Sequence, residues 1–222
     1  MTAAPISWPA PDPRDAFGLV ALNRDLSPER LISAYAHGIF PWPDGRPGTL
    51  IPWVSPPKRA ILEFEALHVP RTLRQAQRAL ANLRFTIDAA FPGVICACAK
   101  AARPAVEGTW ITPAMITAYV TLHHQGHAHS VEAWAGDTLV GGLYGVTAGG
   151  IFTGESMFHV VDNVSKLCVL HLIDHLRSRG ATWIDIQQQT RHFLILGSRE
   201  ISREEFQRRL AGEQQRHRKL FG

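Results

Sequence analysis

Residues 183–187, inside the run "TWIDIQ", read Trp-Ile-Asp-Ile-Gln. Strand alternation turns Trp183, Asp185 and Gln187 to one face and Ile184 and Ile186 to the other. Asp185 and Gln187 then lie about 7 Å apart and point the same way. A carboxylate can accept a proton or hold a cation, and an amide beside it can orient a reactant. Burying both is costly unless each is hydrogen-bonded, so the pair is either a satisfied structural network or a reactive site.

A third polar candidate sits in "GGIFTGESMFH", residues 149–159. The pattern is that of a half-buried strand until Glu155. Local pattern alone favours an exposed strand residue, while Gly154 beside it points to close approach of another backbone or a ligand.

Other features carry less chemistry. "GGLYGVTAGG" lacks both Gly-x-Gly-x-x-Gly and a Gly-Lys-Ser/Thr ending and precedes no helix, so it is not a phosphate loop. His123, His124, His127 and His129 have neither a His-Glu-x-x-His arrangement nor a cysteine partner, and Gly126 separates the pairs; a histidine-rich turn is expected, and no metal. A coenzyme A cradle would need Arg or Gln-x-x-Gly-x-Gly or Ala opening a helix. The nearest match, Arg177 to Thr182, ends in Thr and lies at a helix end.

The elements that must position these residues can be read off the chain. Ser27 and Pro28 begin a helix striped by Leu31, Ile32 and Tyr35 and ended by Gly38. "AILEFEALHV" reads as a strand and Arg71 to Leu83 as a helix. A further helix is capped at Thr112 and stops at Gly126. Three strands follow, "HSVEAWA", "TLVGGLYGVT" and "GIFTGESMF", turning at Gly136-Asp137 and Ala148-Gly149 into an antiparallel meander. Asn163 caps a long apolar helix closed by Gly180, "TWIDIQ" comes next, and a Ser202-x-x-Glu205 box opens the last helix.

Helix, three strands, helix, strand is an α+β order with a helix crossing over beside the sheet, as in N-acyltransferases. The expected fold is an N-acyltransferase-like domain, a mixed and mostly antiparallel sheet flanked by helices, over residues 61–222. Residues 1–60, rich in proline, glycine and tryptophan, are expected to form a small N-terminal lobe with an aromatic loop.

Composition sets bounds. With 222 residues, 45% hydrophobic and 19% charged, the chain is globular rather than disordered. No apolar run reaches the ~18 residues of a membrane helix, and the start has neither a basic nor an apolar leader region, so a cytoplasmic protein with no membrane partner is expected. The 3 cysteines make neither an even disulfide framework nor a zinc pattern. The formal charge of +4 suits an anionic partner without proving one. Arg71, Arg74 and Arg78, and a C-terminal group from Arg203 to Lys219, can each be a phosphate-contacting cluster or a solvated face.

Together these fragments resemble the leucyl/phenylalanyl-tRNA-protein transferases of bacteria. The likeness runs from about Phe17 to Phe206 through "DLSPERLISAYAHGIFPW", "EGTWIT", "GHAHSVEAW", "VGGLYGV", "FTGESMFH", "NVSKL" and "IDIQQQTRH", in order and at family-like spacing. The resemblance implies transfer of Leu, Phe or Met from aminoacyl-tRNA to the α-amine of a protein beginning with Arg or Lys, marking it for degradation. It implies no cofactor, neither ATP nor metal; a monomer is expected. The ester is already activated, and an α-amine of pKa about 8 is appreciably neutral near pH 7, so positioning, proton acceptance and oxyanion stabilisation suffice.

By the same resemblance, Asp185 and Gln187 stand beside the reacting amine, Asp185 as base or orienting carboxylate, with Glu155 assisting or holding the cationic acceptor. Trp42 and Trp110 match tryptophans that embrace the terminal adenosine and the aminoacyl group. Leu143, Phe152, Val169, Leu172 and Ile184 would line the pocket for the transferred side chain, and Arg71, Arg74 and Arg78 would contact tRNA phosphates.

The chain departs from the family's usual pattern at Asn23-Arg24, Val54, Ile186, Ile195 and Ser198. Several of these are expected around the site, where they bear on amino-acid preference and on the acceptor, a small peptide or metabolite amine included. The competing readings are an acyltransferase of the same fold with another donor, and a non-catalytic RNA-binding module. Asp185, Gln187 and Glu155 argue against the second, since binding phosphates needs none of them.

Overall fold

A computed structural model describes residues 6–12, 14–46, 48–101 and 109–222. Glu107 and Gly108, the first residues of "EGTWIT", lie outside the described residues. Within them, β1 (Leu19–Asn23), β2 (Phe40–Pro41) and β3 (Ile51–Val54) make a small antiparallel sheet in the order β1-β3-β2, with α1 (Pro28–Ala36) between β1 and β2. Leu31, Ala34 and Tyr35 give α1 its buried face, and Gly38 takes φ +70° beyond its end. The Ser27 hydroxyl makes no capping bond. Its backbone N–H instead donates to Asp25 at 2.9 Å.

The larger sheet has the order β10-β4-β9-β8-β7-β6-β5 among the described residues. Its strands are β4 (Lys58–Glu63), β5 (Arg84–Ile87), β6 (Ala128–Ala135), β7 (Thr138–Ala148), β8 (Ile151–His159), β9 (Trp183–Gln187) and β10 (Arg199–Ser202). All neighbours run antiparallel except β8 and β9, the pair joined by the crossover helix α5 (Val164–Ser178). The remaining helices are α2 (Arg71–Ala79), α3 (Phe91–Lys100), α4 (Pro113–His124), α6 (Arg191–Ile195) and α7 (Arg203–Arg216). Among the described residues no helix is long and apolar enough to cross a membrane.

Apolar alternation decides which face each strand gives to which helix. Leu62, Val131, Leu143, Phe152, Ile184 and Ile186 pack with Leu167, Leu172 and Ile173 of α5. Tyr144, Val146 and Phe158 pack with α1, α3 and α4. Ile61, Ile151, Trp183 and Ile201 meet Phe206 and Leu210 of α7. The result is the expected α+β arrangement, a mostly antiparallel sheet flanked by helices.

Several expectations need correcting. "AILEFEALHV" is not one strand: β4 ends at Glu63 and a 3-10 turn occupies Phe64–Ala66, where Phe64 N–H bonds the Thr182 carbonyl at 2.8 Å. The helix expected over 71–83 stops at Ala79, because Leu80 and Leu83 turn in to pack against the core before β5. The second hairpin turns at Gly149-Gly150, with φ +64° and +80°. β1, β2, β3, β5, β10, α3 and α6 were not anticipated. In α3, Phe91, Val94, Ile95 and Cys98 carry a helical i, i+3, i+4, i+7 pattern and are all buried.

Candidate active site

Glu155 owes its position to a bulge. Across β7 and β8, Tyr144 faces Ser156 and Gly145 faces Gly154, so Glu155 has no residue opposite it and is set apart from the pleat. Gly145 makes this approach possible: a Cβ there would stand 2.3 Å from the Thr153 carbonyl oxygen.

Glu155 is thereby brought to a cavity of about 830 Å³. Residues 154–157 of β8 line one side and Ile184, Ile186 and Gln187 of β9 another. Leu143, Phe152, Val169 and Leu172 form its apolar wall, while Trp42 and Trp110 come in from the loops after β2 and before α4. The five apolar positions and two tryptophans singled out from sequence thus surround one space. Trp42 is 43% exposed at its rim. Of the positions that depart from the family's pattern, Ile186 lines this cavity; Asn23, Arg24, Val54, Ile195 and Ser198 do not. Asn23 instead accepts from Trp53 Nε1 at 3.0 Å, and Ser198 from Gln189.

The alternation argument for Asp185 and Gln187 fails at the last residue of β9. A second bulge, in which Ala60 faces Gln187 and Ile61 faces Asp185, frees Ile186, and Gln187 takes φ +61°. The side chain of Gln187 consequently reaches the cavity, whereas Asp185 stays on the α7 face, 0% exposed and outside the cavity lining. Asp185 is bound on every side. Arg59 donates from Nε to Oδ1 at 2.8 Å and from Nη2 to Oδ2 at 2.6 Å. Thr153 Oγ1 donates to Oδ2 at 3.0 Å and Gln187 N–H to Oδ1 at 2.9 Å.

Glu155 has a different environment. Tyr35 OH donates to Oε1 at 2.7 Å, Gln187 Nε2 to the same oxygen at 2.5 Å, and Tyr119 OH lies 3.4 Å from Oε2. The two tyrosine hydroxyls are 2.5 Å apart. Burial raises the Glu155 carboxyl to about 7; the bonds from Tyr35 and Gln187 pull it down, and the Asp185 charge pushes it up further. Burial, and then the Glu155 charge, hold both phenols well above their usual range, so Tyr35 and Tyr119 remain donors. A carboxyl that titrates near neutrality beside an apolar cavity can take a proton from an ammonium or amine.

Sequence reasoning did not single out Arg59, Tyr35, Tyr119 or Thr153. Tyr35 reads as a member of an apolar helix stripe, and Tyr119 lies within the helix that Thr112 caps. The signal available for Arg59 was its place as the second of two cations, Lys58 and Arg59, just before the apolar run Ala60-Ile61-Leu62.

The basic clusters differ in kind. Arg71, Arg74 and Arg78 form one exposed stripe of α2 opposite buried Leu73, and none makes an ion pair among the described residues. At the C-terminus Arg209 is paired with Glu63 at 2.7 Å and Glu205 at 2.8 Å, Arg216 with Glu213 at 2.9 Å, and Arg218 with the same Glu213, so part of this group is engaged within the protein. In the histidine-rich turn, His129 bonds Asp88 at 2.7 Å and His123 bonds the Ala128 carbonyl at 2.9 Å, closing the turn.

The sequence profile of the leucyl/phenylalanyl-tRNA protein transferases matches residues 61–211, and that of their N-terminal domain matches residues 24–57. The chain belongs to the leucyl/phenylalanyl-tRNA protein transferase family. A transferase of this name from Anaeromyxobacter sp. (strain K) is 48% identical over 205 residues, covering 92% of this chain and 87% of its own length. One from Nitratidesulfovibrio vulgaris (strain DP4) is 50% identical over 189 residues, covering 85% and 80%. The matched residues thus include α1, β2, β3, the cavity lining and both bulged strands.

Proposed function

We propose that the protein transfers Leu, Phe or Met from aminoacyl-tRNA to the α-amine of an acceptor protein beginning with Arg or Lys, as an aminoacyltransferase whose product is tagged for degradation. One observation carries the reading. A cavity walled by Leu143, Phe152, Val169, Leu172 and Ile184, rimmed by Trp42 and Trp110, ends on a carboxyl with a near-neutral pKa.

In this reading the apolar wall receives the Leu, Phe or Met side chain, and the tryptophans pack against the 3′-terminal adenosine. The ester carbonyl then lies near Glu155 and Gln187. The acceptor nitrogen attacks that carbonyl carbon, the new C–N bond forms, and the C–O bond to the ribose breaks, returning the tRNA 3′ oxygen as a hydroxyl. Glu155 takes the proton that nitrogen sheds and passes it to the leaving 3′ oxygen, which restores the carboxylate, and Gln187 orients Glu155 through the bond to Oε1. Asp185 is the orienting carboxylate rather than the base, because both its oxygens are engaged by Arg59. Among the described residues Arg71, Arg74 and Arg78 carry no protein counter-charge, which leaves them available to tRNA phosphates.

We read the fold as N-acyltransferase-like, with residues 1–60 as a small lobe bearing the aromatic loop and 61–222 as the catalytic domain. The support is the antiparallel meander followed by a helix that crosses over to a parallel strand. We read the working form as a cytoplasmic monomer. Incubation with labelled leucyl-, phenylalanyl- and methionyl-tRNA and a peptide starting in Arg or Lys tests the activity. Transfer from at least one donor is expected; folded protein giving none overturns the proposal.

A further inference from the structure

Arg59 is a buried cation held from every direction. Its side chain, in a residue only 2% exposed, lies between two aromatic rings, with Cζ 4.4 Å from the centroid of Phe40 and 4.7 Å from that of Phe206. With both faces covered, only the in-plane N–H groups remain for bonding. Two go to Asp185 as described, and Nη1 donates to the Gly38 carbonyl at 3.2 Å. The planar fork suits this geometry as a lysine ammonium would not.

One side chain therefore joins the α1–β2 connection, β4, β9 and α7. On one side, Phe40 touches Trp42, with ring centroids 5.8 Å apart. On the other, Asp185 Oδ1, fixed by Arg59, accepts the N–H of Gln187 at 2.9 Å. That bond restrains a residue at φ +61°, a conformation L side chains rarely adopt, and Gln187 in turn places Nε2 on Glu155.

We infer that Arg59 is a positioning residue for aminoacyl transfer: its fork holds Asp185 in the orientation that pins Gln187 against Glu155, and its stacking on Phe40 ties this alignment to the loop that carries Trp42. The inference rests on the transfer reaction proposed above. A buried ion pair serving stability alone would cost folding energy when weakened but would not divide kcat from KM or move a pH profile.

Two variants test it. Arg59→Lys retains the charge without the fork, and Phe206→Leu retains the fork without one of its walls. With leucyl-tRNA and a peptide beginning with Arg, kcat, KM for the donor, the pH profile of kcat and thermal unfolding are measured together. For folded Arg59→Lys, kcat should fall by roughly ten- to hundredfold while KM changes by no more than about twofold. The acid limb of its profile should move to higher pH, since Gln187 then donates less to Glu155. Phe206→Leu should move both quantities the same way by less. A folded Arg59→Lys with unchanged kcat, or with KM raised and kcat intact, overturns the role. If Arg59→Lys shows no cooperative unfolding, Phe206→Leu decides, and wild-type kcat with a wild-type pH profile overturns it. Absence of transfer by the unmodified protein removes the reaction itself, an outcome distinct from an active protein indifferent to Arg59.

Discussion

Gln187 Nε2 lies 2.5 Å from Glu155 Oε1, although strict alternation along β9 would turn Gln187 to the opposite side of the sheet. The contact exists because Gln187 leaves the pleat at φ +61° and because Glu155 stands on a bulge of β8. Two irregularities, one on each of two parallel neighbours, create the polar end of the cavity.

Replacing Glu155 by Gln should separate activity from stability. The folded carboxyl has its pKa raised from 4.5 to about 7, so the native state holds a proton that the unfolded chain releases. Stability is therefore lost as pH rises from about 4.5 through about 7, with an upper limit of roughly 3 to 4 kcal/mol at about 1.4 kcal/mol per pH unit. Glu155→Gln should flatten that window in urea melts at several pH values and be the more stable protein at pH 8. Transfer should fall by roughly 100-fold or more. Undiminished transfer would remove Glu155 as the proton acceptor.

The pH profile of kcat in the unmodified protein should rise with an apparent pKa of about 7, following ionisation of Glu155. Gln187→Leu removes a bond that favours the carboxylate and should shift this limb to higher pH while lowering the plateau. A limb unmoved by the change would mean that another group sets the profile.

The apolar wall should select the transferred side chain by volume. Val169→Phe narrows the cavity from the α5 side. It should reduce kcat/KM for phenylalanyl-tRNA by roughly tenfold or more relative to leucyl-tRNA, about 1.4 kcal/mol of discrimination. Equal losses for the two donors would show that the side chain binds elsewhere.

Changing Arg71, Arg74 and Arg78 to Gln together should raise the apparent Kd for tRNA and flatten its salt dependence. The slope of log K against log salt should decrease by about 2 to 3, in proportion to the charges removed. At saturating donor kcat should remain near wild type. A salt slope identical to that of the unmodified protein would place the phosphates elsewhere.

Much of the site was legible one residue at a time. Trp42, Trp110 and the five apolar wall positions are found around one cavity, because bulky apolar side chains on three strands, a helix and the adjoining loops converge on the same side of a sheet. Glu155 and Gln187 were visible as polar residues in apolar runs. The partners that condition them were not. Arg59 is 126 residues from Asp185 in sequence, and Tyr35 is 120 from Glu155. In an apolar helix stripe a tyrosine gives no local sign of where its hydroxyl bonds.

Periodicity and caps by themselves determined that α4, α5 and the β6–β8 meander form, since hydrophobic spacing, Thr112 and the turn glycines act within a few residues of the chain. Ordered motifs determined the family. Tertiary structure alone decided which carboxylate meets the cavity. Asp185 and Glu155 are equally conspicuous in sequence, yet Asp185 is turned away and neutralised by Arg59 while Glu155 is left with hydroxyl and amide partners. That division follows from two bulges and a buried guanidinium. Register shifts and long-range ion pairs depend on how β4, β8 and β9 meet, which no local stretch of residues encodes.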